Sequence, residues 1–187
     1  MRATSHTAPS RMNNCNPLSV TIRKAGPEDV DRIMEIIHRA TAFMHASGNP
    51  HQWSDGYPGR AQIAGDIAAG NSYVALDGHG TPVATFCLMP SPEPNYAIVH
   101  DGAWRDDRPY HVIHRIACAV RRRGIAAQCM AWCMARDSHL RADTHRDNIP
   151  MQHLLLRSGF RPVGTVFVAD GTPRIAFERC PEAPENG

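Results

Sequence analysis

Three consecutive arginines, Arg121, Arg122 and Arg123, stand directly before Gly124-Ile125-Ala126-Ala127. The run before them, 112–120 (VIHRIACAV), reads as a strand, and the run after them reads as a helix. A helix start leaves backbone N–H groups without intrahelical partners and carries partial positive charge. Anions settle at such a place. Gly124 and Ala126 keep the backbone approachable, and the guanidinium groups add charge and donors. The chemistry suggested is the grip of a diphosphate. The Gly-Lys-(Ser/Thr) ending of a P-loop is missing, and so is a dinucleotide-binding fingerprint. A basic surface loop before an ordinary helix is the competing reading of the loop alone.

Two histidines, His111 and His114, lie on the strand that enters this loop. Imidazole titrates near neutrality and suits general base work. Strict alternation would put His114 on a face with Val112 and Ile116, which leaves its direction open. Asp143 and His145 on a later strand are weaker candidates for the same task. Cys129 and Cys133 fall on the apolar stripe of a helix with Trp132, so core packing is favoured over a zinc site. Cys118 has no assignable base or orienting group and is not read as a nucleophile. No metal is expected. Asn148 or Asp147 caps a further helix, with Met151, Leu154 and Leu155 on its inner face.

The elements that must position these groups follow from pattern. A strand at 20–25 leads into Gly26-Pro27-Glu28-Asp29, where proline and two acids suit a helix start. Val30, Ile33, Met34, Ile37 and Met44 mark the buried face of that helix, and Gly48-Asn49-Pro50 stops it. A loop at 51–60 and a short helix at 61–69 follow. Strands at 72–76 and 83–89 form a hairpin, and the proline-rich stretch 90–109 reads as irregular. After the helix that begins near Ile125 come a strand at 140–144, the capped helix ending at Gly159, and strands at 165–168 and 174–178 joined by Asp170-Gly171. The order is β-α-α-β-β-β-α-β-α-β-β, a mixed α/β sheet with helices on its faces.

The chain has 187 residues and a formal net charge of +2, with 42% hydrophobic and 20% charged residues. One globular domain is expected at 19–180, between polar tails at 1–18 and 181–187. The low net charge argues against a dedicated nucleic-acid binder. No apolar run approaches the roughly 20 residues of a membrane span. The six cysteines, mostly in apolar stretches of a chain whose N-terminus lacks a secretory pattern, point to reduced thiols and the cytoplasm.

Arg121-x-x-Gly124-x-Ala126 resembles the (Gln/Arg)-x-x-Gly-x-(Gly/Ala) signature of the GNAT acetyltransferases. The segment Asn148-x-x-Met151-x-x-Leu154 running to Gly159-Phe160 resembles the part of that family in which an asparagine precedes a helix ending in Gly-Phe. The resemblance covers roughly 21–179, and VIHRIA and RADTHRDN look like a bacterial subgroup.

It implies a mixed, mostly antiparallel central sheet with helices on both faces and two splayed central strands, here 112–118 and 140–144. It implies an acetyl-CoA-dependent N-acetyltransferase, with acetyl-CoA as co-substrate and an amine of a small molecule or peptide as acceptor. The coenzyme would be held by Ile116, Ala117, Cys118, Arg121, Arg122, Arg123, Gly124, Ile125, Ala126, Ala127, Asn148, Met151 and Leu155. A backbone N–H at 116–118 would stabilise the oxyanion of direct attack in a ternary complex. Trp53, Tyr57 and Trp104 would wall the acceptor site, helped by nearby acids. Family members often form homodimers.

Two departures bear on mechanism. The strand before the loop lacks the glutamate that the family often uses, which leaves His114 as candidate base. Leu155 stands where the family usually has a tyrosine that protonates the leaving thiolate; Tyr110 and Tyr57 are candidate replacements. These departures keep open an acyl-CoA-binding module with little catalysis.

Overall fold

The computed structural model describes residues 19–120 and 124–181. The expectations for Arg121, Arg122 and Arg123, for the N-terminal tail and for most of the C-terminal tail fall outside the described residues.

Among the described residues seven strands form one sheet in the order β1-β2-β3-β4-β5-β7-β6. They are β1 (Thr21–Lys24), β2 (Ser72–Leu76), β3 (Pro82–Pro90), β4 (His111–Cys118), β5 (Leu140–Thr144), β6 (Arg161–Phe167) and β7 (Pro173–Arg179). All neighbours are antiparallel except β4 and β5. Among the described residues four α-helices complete the order: α1 (Val30–Ala46), α2 (Arg60–Ala68), α3 (Ile125–Met134) and α4 (Ile149–Arg157). None is long and apolar enough to cross a membrane.

Period-2 alternation in the strands sends neighbouring residues to opposite layers. Val74 and Ala117 pack with Ile33, Ile36 and Ile37 of α1 and Ile63 of α2. Ala75, Phe86, Leu88 and Ile113 pack with Ile125, Cys129 and Cys133 of α3 and with Leu154 and Leu155 of α4. Helices therefore cover both faces. Cys129 and Cys133 are fully buried, and burial raises both thiols, that of Cys133 to about 12. They are core residues, as the apolar stripe predicts.

The α1 start is fixed by Asp29, whose carboxylate accepts from the Gly26 N–H at 2.8 Å and from the Arg23 guanidinium at 2.6 Å. The proline-rich segment contains one short 3-10 turn, Pro94–Tyr96. Its later part is clamped by Arg141 of β5. That guanidinium lies 4.0 Å from the Trp104 ring centroid and 3.9 Å from that of Tyr110, and donates to the Glu178 carboxylate at 3.0 Å. Cation–π contacts of this kind are worth about 0.5–2 kcal/mol each.

Two features of the sheet shape the site. First, β4 and β5 are joined only at His111↔Leu140 and Val112↔Arg141. Beyond Val112 the two strands part, and that edge of β4 has no strand neighbour among the described residues. Second, the β3–β4 ladder slips between Thr85↔Ala117 and Cys87↔His114, so Arg115 and Ile116 together oppose Phe86. Arg115 has φ +53°, the left-handed region that a non-glycine side chain rarely adopts. It is a β-bulge, a device that re-aims side chains.

Candidate active site

The bulge corrects the alternation expected along β4. Val112 joins the cluster around Tyr96, and His114 lies beside the Tyr96 ring at 5.9 Å, whereas Ile116 packs on the opposite, α3 side. His114 and Arg115 thus reach one chamber in succession, which strict alternation forbids.

That chamber has a volume of about 690 Å³. Its lining comes from the loop after α1 (Gln52, Trp53, Asp55, Tyr57), from the proline-rich segment (Glu93, Asn95), from the β4 bulge (His114, Arg115) and from β5 and β7 (Asp143, Arg174). A second cavity of about 450 Å³ runs along the parted edge of β4. Ile116, Ala117 and Cys118 line it from the strand, Gly124, Ile125, Ala126 and Ala127 from the start of α3, and Pro150, Met151 and Leu154 from α4. Met44, Trp53, Ile116, Asn148 and Met151 line both spaces, so the groove opens into the chamber where β4 and β5 diverge.

One end of the groove is the start of α3. Gly124 is the N-cap of α3 with φ +67° and offers no side-chain cap. The first N–H returned to the helix is that of Gln128, bonded to the Gly124 carbonyl at 3.1 Å. The N–H groups of Ile125, Ala126 and Ala127 therefore have no intrahelical acceptor. Among the described residues, its chain neighbours and its own helix backbone aside, no heavy atom lies within 4 Å of where a Gly124 Cβ would stand. The contrast with α4 is clear, because there Asn148 Oδ1 accepts from the Met151 N–H at 3.2 Å.

The chamber carries titratable groups in contact. His114 Nε2 lies 3.1 Å from Glu93 Oε2, and its Nδ1 lies 3.7 Å from Asp143 Oδ1. Burial alone would raise the Glu93 carboxyl, but bonds from His114 and Asn95 hold it below the ordinary glutamate value. The Tyr96 hydroxyl donates to Asp143 at 2.7 Å; burial first, and that carboxylate second, push its pKa well up, so it remains a neutral donor. His145 is buried, and its Nδ1 accepts the Asp147 N–H at 3.2 Å. Burial and the nearby Arg174 lower its pKa, so its 3.4 Å approach to the Asp147 carboxylate is not an ion pair at neutral pH.

The expected coenzyme residues from Ile116 to Cys118 and from Gly124 to Ala127 meet Asn148 and Met151 at the groove. Leu155 does not reach it, being fully buried in the core while Leu154 faces the groove. Trp53 and Tyr57 line the chamber; Trp104 and Tyr110 do not, because they sandwich Arg141 instead. The Tyr110 hydroxyl is engaged with the Glu93 N–H at 3.4 Å. Cys118 lines the groove, but burial raises its thiol to about 11, which keeps it protonated and poorly nucleophilic.

Sequence reasoning missed Glu93, Arg115, Arg174 and Gln52. Glu93 caps the Pro94–Tyr96 turn by accepting from the Asn95 N–H at 3.2 Å, a local signal that could have singled it out. As to metals, ligating atoms of Asp106, His139 and Cys180 lie within 4.8 Å of one another. Both ring nitrogens of His139 are already engaged, with the Pro109 carbonyl and the Glu178 carboxylate at 3.1 Å each, and Asp106 is paired with Arg108. The trio belongs to the network that holds the Trp104–Tyr110 loop.

Comparison with solved structures decides the family. A GNAT-family acetyltransferase from Streptococcus agalactiae is 32% identical, with a TM-score of 0.80 over 88% of this chain and 96% of that one. The chain belongs to the GNAT acetyltransferase family. A GNAT-family structure from Listeria monocytogenes shares the fold at 19% identity and a TM-score of 0.65, covering 87% of this chain and 95% of that one. So does the NatC complex bound to Gag peptide and CoA, at 14% identity and a TM-score of 0.54, covering 88% and 99%. No family model matches the chain, and no curated protein matches it. The parted strands, the bulge and the uncapped α3 are this GNAT chain's own versions of a groove and a chamber that meet.

Proposed function

We propose that this protein is an acetyl-CoA-dependent N-acetyltransferase that moves an acetyl group to a primary amine within a ternary complex. The observation that carries the reading is the junction at Met44, Trp53, Ile116, Asn148 and Met151, where an anion-receiving groove opens into a chamber that holds a histidine. A thioester lying there would present its carbonyl carbon to an amine in the chamber.

The residues around the groove fit the coenzyme. The N–H groups at the start of α3 suit a pyrophosphate, and no described residue beyond its neighbours crowds Gly124. The unpartnered edge of β4 suits the amide-bearing pantetheine arm, which would add to the sheet as a strand does. Asn148 would meet that arm with its Nδ2 hydrogen beside Met44 Sδ, a weak acceptor at 3.9 Å. The NatC structure holds CoA on the same fold, which supports this use of the groove.

In the transfer, a C–N bond forms to the carbonyl carbon as the C–S bond breaks. An amine arriving as ammonium gives one proton to water to become the nucleophile; as the neutral amine becomes an amide it loses a second, which His114 takes, while CoA leaves as thiolate. Glu93 accepts from Nε2–H and so leaves the lone pair on Nδ1, beside which Asp143 stabilises the imidazolium that results. Backbone N–H groups at the bulge would receive the developing oxyanion. With Leu155 in the core, α4 offers no phenol at that position. A thiol of ordinary pKa about 8.5 leaves tolerably as thiolate.

The test follows free CoA with acetyl-CoA and a broad amine panel. Turnover that depends on His114 supports the reading. Coenzyme binding without turnover of any amine would favour the alternative of an acyl-CoA-binding module. The same reading places the protein in the cytoplasm, where its co-substrate is made available, without a metal.

A further inference from the structure

The chamber is lined by charges of both signs. Its carboxylates are Asp55, Glu93, Asp143 and Asp170, and its guanidinium groups are Arg115 and Arg174. The two arginines share an unusual property: Arg174 is buried, the side chain of Arg115 is 8% exposed, and each has a covered side-chain N–H group without a hydrogen-bond partner among the described residues, Nε in Arg115 and Nη1 in Arg174.

Arg174 is 6% exposed. Its Nη2 donates to the Gln52 carbonyl at 2.9 Å, and its Nε stands 3.9 Å from Asp143 Oδ2, beyond a hydrogen bond. Arg115 donates to the Tyr57 hydroxyl at 3.0 Å and to Asp66 Oδ1 at 2.9 Å. Burial works against its charge, but Cys87, Tyr57 and Asp66 hold its pKa above the ordinary guanidinium value, so it stays cationic. It does so from a left-handed backbone position, φ +53°, and strain of that kind collects at functional sites. A buried donor of a charged group left unpaired is costly, and a guanidinium is shaped to bind a carboxylate.

Resting on the acetyltransferase reading, we infer that the acceptor is an amine that also carries a carboxylate, with Arg174, assisted by Arg115, as its anion subsite. The acid-lined part of the chamber, Glu93 and Asp143 around His114, receives the amine. The guanidinium groups of Arg174 and Arg115, both in the chamber wall, receive the carboxylate. Two guanidinium groups in the chamber wall repel a purely cationic amine and attract a carboxylate. Arg174 holds the acceptor in place; His114 performs the proton transfer.

The experiment uses matched triads: an L-amino acid, its amide and its decarboxylated amine, for several side chains, each with acetyl-CoA and free CoA as readout. The expected result is a kcat/KM at least tenfold higher for the carboxylate member of a triad. In Arg174→Met the carboxylate member's KM rises at least tenfold and its advantage over the amide disappears, while acetyl-CoA affinity measured by calorimetry stays the same. Arg174→Lys restores part of the advantage. If Arg174→Met does not fold, the wild-type triads decide alone.

Amides or plain amines turned over as well as the acids would overturn the inference and leave the acetyltransferase standing. So would an advantage that survives in folded Arg174→Met. Binding of acetyl-CoA without turnover of any carboxylate acceptor also overturns it. Absence of acetyl-CoA binding would instead remove the underlying reading.

Discussion

Asn148 Nδ2 donates to Gln52 Oε1 at 2.6 Å, joining residues 96 positions apart in the chain. The same oxygen lies within hydrogen-bond distance of Thr144 Oγ1, the His145 N–H and Asn49 Nδ2. Asn148 Oδ1 meanwhile caps α4. One amide therefore fixes the start of α4 on the groove side and the loop that walls the chamber, so the two halves of the site are set relative to each other.

Asn148→Ala should remove the cap and the link together. Loss of an N-cap costs about 1 kcal/mol, which for a domain of this size lowers Tm by about 2–4 °C. Acceptor KM should rise as well, because Gln52 and Trp53 lose their tether. Thermal melting and steady-state kinetics check both; a lower Tm with unchanged acceptor KM would show that the cap alone matters.

Gly124 separates sterics from charge. Gly124→Ala places a side chain in open space at φ +67°, where left-handed backbone costs about 1 kcal/mol, and should lower stability slightly. Gly124→Asp adds a negative charge at the anion-receiving end of α3 and should weaken acetyl-CoA binding at least a hundredfold. Calorimetry on the two variants makes the comparison.

His114→Gln should reduce kcat by about 100-fold or more, in line with the usual contribution of a general base of about 10²–10⁴, and leave acetyl-CoA affinity intact. Glu93→Gln keeps the hydrogen-bond length but not the charge, and should reduce kcat less. Full activity of His114→Gln in stopped assays of free CoA would remove it as the base.

What the sequence made legible was local. The bounds of β2 and β5, the cap at Asn148 and the helix start after Gly124 all follow from a few neighbouring residues, and the structure bears them out. What depended on long-range pairing was not legible. The bulge at Arg115 arises from a slipped register against β3; it leaves His114 with Val112, as alternation expects, but separates it from Ile116. Trp104, expected in the acceptor wall, and Tyr110, a candidate proton donor, instead hold Arg141 of a distant strand between them. Glu93 and Arg174 belong to the chamber only because the chain returns to it, which no motif announces.

Stability should fall on acidification in two stages. The buried His145 has a lowered folded pKa, so the unfolded chain binds its proton first; its contribution is complete above the ordinary histidine value of about 6.5 and is lost as pH falls through the lower folded value. Asp29, held down chiefly by Arg23, and Glu93, held down by His114 against burial, follow the same sign below the ordinary carboxylate range of about 4. Melting curves from pH 8 to pH 3 should decline first below neutrality and again near pH 4, and His145→Gln should flatten the first decline.

The central claim is that the groove between the parted strands is the coenzyme site. A crystal structure with CoA tests it most directly. The account expects the diphosphate against the N–H groups of Ile125, Ala126 and Ala127, the arm along β4 from Ile116 to Cys118, and the sulfur near the junction at Trp53 and Asn148. Coenzyme bound elsewhere, with that groove closed or filled by the protein's own side chains, would contradict it.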